Sequence, residues 1–145
     1  MRHAFPVFAV LGVLASWLAV ALWSAHTNIE VVDLWVRETA GARAELHARI
    51  SNRGARGDRL LRLSSDLAKK ISVLDHLGRE MDTLRIPADA ELVLGDGHFR
   101  IEAVGLTRFL EAHDSFPLQL VFEHAGKVRA NVRVETPDGS GLSVR

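Results

Sequence analysis

No cysteine occurs anywhere in the 145 residues. Thiolate zinc sites, dithiol redox chemistry and a cysteine nucleophile are therefore excluded, and any metal must be held by histidine, methionine or carboxylates. Disulfides are excluded as well, so stability has to come from packing. An excess of either charge is also missing: 18 Lys and Arg balance 18 Asp and Glu. The basic residues are scattered among acidic ones, which leaves no footprint for nucleic acid. Internal repeats, low-complexity tracts and phosphate-binding loops are absent too.

What is present begins with an apolar run. Residues 4–25 carry no charged side chain, with Arg2 and His3 ahead of them and His26-Thr27-Asn28 behind. About 20 apolar residues span a bilayer as a helix, whereas a secretory signal has a shorter apolar core and a small-residue cleavage site. Both outcomes fit. Ala19-Val20-Ala21 resembles a cleavage site, while Leu22 and Trp23 prolong the run and suit an uncleaved anchor with Trp23 at the interface. Residues 1–26 are expected to be a hydrophobic helix acting as signal peptide or signal anchor, attached to the inner membrane if uncleaved. The basic start places the remainder outside, in the periplasm or against the cytoplasmic membrane.

Beyond it, short apolar–polar alternations recur between Gly, Asn, Asp and Pro punctuation, which is the pattern of half-buried strands. Strands are expected over Asn28–Val36, Ala44–Ser51, Leu60–Ser64, Ile71–Leu77, Glu91–Leu94 and His98–Val104. Two more are expected around Phe116–Phe122 and Val128–Val134. In the second, Leu46, Ala48 and Ile50 share one face and Glu45, His47 and Arg49 the other. Gly95-Asp96-Gly97 reads as a tight hairpin turn. Seven or eight strands without helices predict an all-β, closed or nearly closed antiparallel Greek-key sandwich or barrel over residues 27–135, with a flexible tail over 136–145.

The order of these segments resembles the periplasmic copper chaperones of the PCu(A)C type. The stretches that carry the likeness are Ile29–Thr39 (IEVVDLWVRET), Ile50–Leu77 (ISNRGARGDRLLRLSSDLAKKISVLDHL), Leu84–Phe99 (LRIPADAELVLGDGHF) and Gly105–Val128 (GLTRFLEAHDSFPLQLVFEHAGKV). The resemblance implies a cupredoxin-like fold and a non-enzymatic carrier that hands copper to respiratory oxidase assembly. Its partner would be a copper-accepting exported or membrane protein.

In that family a His, a Met and a His-x-Met section supply two imidazoles and two thioethers, soft donors suited to Cu(I). His76 and His98 fall on the two family histidines. Met81, the only Met after the apolar run, lies in the loop of the first family Met. The His-x-Met section reads His98-Phe99-Arg100, and arginine cannot ligate a metal. His76, Met81 and His98 are therefore the candidate ligands for copper, Cu(I) by preference and Cu(II) as a possibility. Arg100 keeps a second reading open, that of a membrane-tethered interaction or scaffolding domain that binds no metal.

The other candidates carry less. Asp75, His76 and Ser72 suggest a hydrolase, but no nucleophile elbow or oxyanion hole accompanies them. Asp82, Asp89, Glu91 and Asp96 lack calcium-loop spacing and read as solvated turn acids. His47 reads as a solvated surface histidine, Trp35 as a core residue, and His113 and His124 have no metal-ligand spacing.

Overall fold

A computed structural model describes residues 28–136 except Asp96. The expected membrane segment and nearly all of the expected tail lie outside the described residues. Among the described residues ten strands form: β1 (Ile29–Arg37), β2 (Arg43–Asn52), β3 (Asp58–Ser64), β4 (Ala68–Leu74), β5 (Glu80–Met81), β6 (Leu84–Ile86), β7 (Ala90–Leu94), β8 (Arg100–Leu106), β9 (Ser115–Phe122) and β10 (Gly126–Glu135). The alternation creates them. Ala44, Leu46, Ala48 and Ile50 of β2 are buried between exposed Glu45 and Arg49. Phe116, Leu118, Leu120 and Phe122 of β9 are likewise buried. They meet Leu60, Leu63, Ile101, Val132 and Val134 in one core, where each large apolar side chain contributes about 1.5–3 kcal/mol.

Around the barrel the order is β4-β8-β2-β1-β10-β9-β3. The single pair Leu63–Ile71 between β3 and β4 closes it. Closure leaves no long edge open to association. The short β5, β6 and β7 lie against β4, β3 and β2. The all-β cupredoxin-like barrel expected from the sequence is thus present. One pair departs from the antiparallel expectation: β1 and β10 run parallel. They are the first and last strands of the barrel, joined by no turn that would force opposite directions.

Trp35 is not a core residue. One extra residue enters β1 between Val32, opposite Arg49, and Trp35, opposite His47, where Asp33 takes φ 51°. This β-bulge switches the inward parity. Ile29 and Val31 pack on the core before it, Leu34 and Val36 after it, and Trp35 turns to the outer face.

Two buried polar side chains fasten the loops. Asn52, 1% exposed, accepts from the backbone N–H of Asn28 and Gly54 at 3.2 and 3.0 Å. Its amide donates to the carbonyls of Arg56 and Pro87 at 2.8 and 3.1 Å. The Asp58 carboxylate, in a residue 2% exposed, accepts from the N–H groups of Arg59, His124 and Ala125 at 2.7, 2.9 and 2.8 Å. It thereby ties the start of β3 to the β9–β10 turn.

Candidate metal centre

The strand expected through Leu77 stops at Leu74, so His76 stands in the β4–β5 turn. Asp75 makes that turn. Its Oδ1 accepts from the N–H groups of Leu77 and Arg79, both at 2.9 Å, and its Oδ2 from Arg79 Nε at 2.8 Å. Gly78, at φ 77°, donates to the Asp75 carbonyl at 2.9 Å. The side chain thus replaces ladder hydrogen bonds with local ones, as Asx turns do. The backbone N–H of Arg79 above all, then its guanidinium and the N–H of Leu77, hold the Asp75 carboxyl below its ordinary 3.8. His76 is exposed at the tip beside Leu77, which is 64% exposed.

The expected hairpin around Gly95-Asp96-Gly97 does not form. β7 and β8 both pair with β2, one after the other: Leu94 lies opposite Ala48 and Ile101 opposite Leu46. Gly95 and residues 97–99 therefore lie off the β2 ladder, in an arch beside a single β2 position, His47. The Gly95 N–H donates to the Phe99 carbonyl at 2.9 Å and closes the arch at its base. His98 lies on the arch rather than at a strand start, and it is exposed.

The two excursions converge because Leu74 of β4 pairs with Arg100 of β8. His76 lies just past one member of this pair and His98 just before the other. Their rings stand edge to face, with centroids 6.5 Å apart. A metal about 2 Å from a ring nitrogen lies roughly 3 Å from that ring's centroid, so two opposed imidazoles sharing one ion have centroids about 6 Å apart. The observed centroid separation is close to that value, with the rings edge to face.

Met81 faces elsewhere. It pairs with Val73 and packs half-buried against the core. It lines a cleft of about 420 Å³ with Leu61, Ile71 and Asp82, to which neither histidine contributes. Arg100 is half-buried, with one guanidinium nitrogen 3.7 Å from where a Cβ on Gly78 would lie. A fixed cation therefore borders the turn that carries His76. Among the described residues, no group of three or more His, Asp or Glu is arranged to hold a metal.

His47 is not simply solvated. It is half-buried and stacked on Trp35, with centroids 3.9 Å apart and planes 4° from parallel. His113 and His124 serve loops through their backbones: His113 at φ 71° donates to Val134, and His124 to Asp58. Sequence reasoning missed Asp75 as the maker of the turn, although Asp75-His76-Leu77-Gly78 spells an Asx turn ending on glycine. It missed the arch because Gly-Asp-Gly signals a reversal equally well without a hairpin.

The chain is similar to solved PCuAC domains. It is 24% identical to the copper-bound PCuAC domain from PmoF2, over 77% of this chain and 99% of that one, with a TM-score of 0.68. It is 26% identical to the apo PmoF2 PCuAC domain, over 76% and 91%, with the same TM-score. Cu(I)-bound DR1885 from Deinococcus radiodurans is 16% identical over 76% and 78%, with a TM-score of 0.60. No curated protein matches the chain. The family model described as "Putative lipoprotein LpqE-like" matches residues 29–134, which is almost the whole described barrel. The chain belongs to this LpqE-like family, and its barrel is of the PCuAC type.

Proposed function

We propose that this protein is an exported copper carrier, holding the ion between His76 and His98 and passing it to an acceptor in respiratory oxidase assembly. The observation that supports it most is the convergence of two exposed imidazoles, 6.5 Å apart, on a fold shared with copper-bound PCuAC domains. Neutral imidazoles donate to copper in either oxidation state, and a thioether favours Cu(I). Met81, the only thioether among the described residues, faces a separate cleft and would have to turn out of it to become the third donor. Arg100 stands where the family has a second thioether, so the shell is short of one soft ligand. A short shell on an exposed surface suits an ion that must be released. If it is not cleaved, the apolar segment over residues 4–25 attaches the protein to the membrane.

Arg100 also favours a second reading, a metal-free interaction module on the same barrel, because a permanent cation beside the histidines opposes a bound cation. One titration separates the two. The full-length protein is titrated with Cu(I) against a competing chelator, beside a His76→Ala, His98→Ala double variant. Saturable one-to-one binding that the double variant lacks supports the carrier. Equal, weak binding by both leaves the module.

A further inference from the structure

The base of the arch that presents His98 lies against one side chain, His47. His47 is the only β2 residue between Leu46, opposite Ile101, and Ala48, opposite Leu94, so the arch leaves the β2 ladder at this one position. The approach is made by Gly95, which is buried at φ 127°. A Cβ there would lie 2.8 Å from His47 Cγ, 2.9 Å from Cε1 and closer still to Nδ1. Only glycine tolerates both the conformation and the approach. From the other side His47 is held by Trp35, its partner across β1 and β2, stacked at 3.9 Å. Trp35 is in turn covered by Arg37, whose guanidinium carbon lies 6.0 Å from the ring centroid. The β-bulge at Asp33 is what places Trp35 on this outer face.

We infer that the Trp35–His47 stack is the seat of the arch, and that His47 is a positioning residue that fixes His98 against His76. This rests on the copper reading of the histidine pair. The ring is braced on one face by an indole, and the arch closes through its own Gly95–Phe99 hydrogen bond, so the arch cannot sink toward β2 without expelling His47. The role assigned to His47 is the bulk of its ring between Trp35 and Gly95, beside its other contacts, and not metal ligation. Outer groups of this kind act on metal affinity at the level of about 10–100-fold.

The test uses full-length His47→Ala, His47→Phe and Gly95→Ala variants. Each is measured twice: Cu(I) affinity against a competing chelator, and amide hydrogen exchange of residues 97–99 in the metal-free protein. His47→Ala and Gly95→Ala are expected to weaken Cu(I) binding by about tenfold or more and to speed exchange in the arch, leaving β9 protected. His47→Phe keeps a flat ring on Trp35 and should retain affinity within about threefold, with exchange near wild type. Wild-type affinity and exchange in His47→Ala would overturn the seat. Loss of affinity in His47→Phe equal to that in His47→Ala would overturn the shape role. If the wild type itself binds no copper, the carrier reading fails, and the exchange arm alone still decides whether His47 seats the arch.

Discussion

His76 and His98 face each other with ring centroids 6.5 Å apart, although 22 positions separate them in the chain. The register of Leu74 with Arg100 brings them together, and each leaves its strand through a short excursion closed by its own hydrogen bonds. Two side chains on separate, braced loops of one barrel end can meet an exchanging ion without rearranging the barrel.

Arg100 is the residue that most limits the site. Arg100→Met returns a thioether to the His-x-Met section and removes a fixed charge. Competitive titration should show Cu(I) binding tightened by roughly tenfold or more. An unchanged affinity would mean that position 100 does not reach the ion.

Asp58 fastens the β9–β10 turn through the N–H groups of His124 and Ala125, with that of Arg59 a third donor to the same buried carboxylate. Asp58→Asn sets an amide N–H₂ against a backbone N–H and weakens the remaining bonds. Urea denaturation should show a loss of about 2–3 kcal/mol. A loss below about 0.5 kcal/mol would show that the donors find water instead.

Two surface carboxylates set an acid limb. Glu80 is held below its ordinary 4.5, chiefly by the Lys70 ammonium and then the Ser72 hydroxyl. Asp114 is held below its ordinary 3.8, chiefly by Arg108. A depressed carboxylate contributes stability above its unfolded pKa, and that stability is lost as pH falls through the folded value. Urea midpoints from about pH 6 down to about pH 3 should fall less steeply in a Glu80→Gln, Asp114→Asn variant than in wild type. The difference should shrink in high salt, since both pairs are exposed. Identical slopes would remove these pairs from the account.

Most of the barrel was legible in the sequence. Strands such as Phe116–Phe122 write their inward face as strict alternation, and period two leaves little freedom in which side is buried. The failures fall where a backbone irregularity intervenes. Trp35 reads as core until the bulge at Asp33 adds one residue and reverses the parity. His98 reads as hairpin-borne because the glycines around Asp96 signal a reversal but not the strand that receives it; pairing with β2 is a long-range choice. The His76–His98 pair came through resemblance, whereas the Trp35–His47 stack had no local signal, since a histidine between Glu45 and Arg49 looks solvated. Asp75 was visible as a turn residue and overlooked as one.

The central claim is that both imidazoles hold one copper ion, and X-ray absorption at the copper K-edge tests it most directly. The full-length protein, loaded with one equivalent of Cu(I), should show two imidazole nitrogens at about 2 Å, with the outer-shell scattering of their rings. That signal should fall to one imidazole in His76→Ala and in His98→Ala separately. Imidazole scattering absent in the wild type, or unchanged in either single variant, would contradict the account.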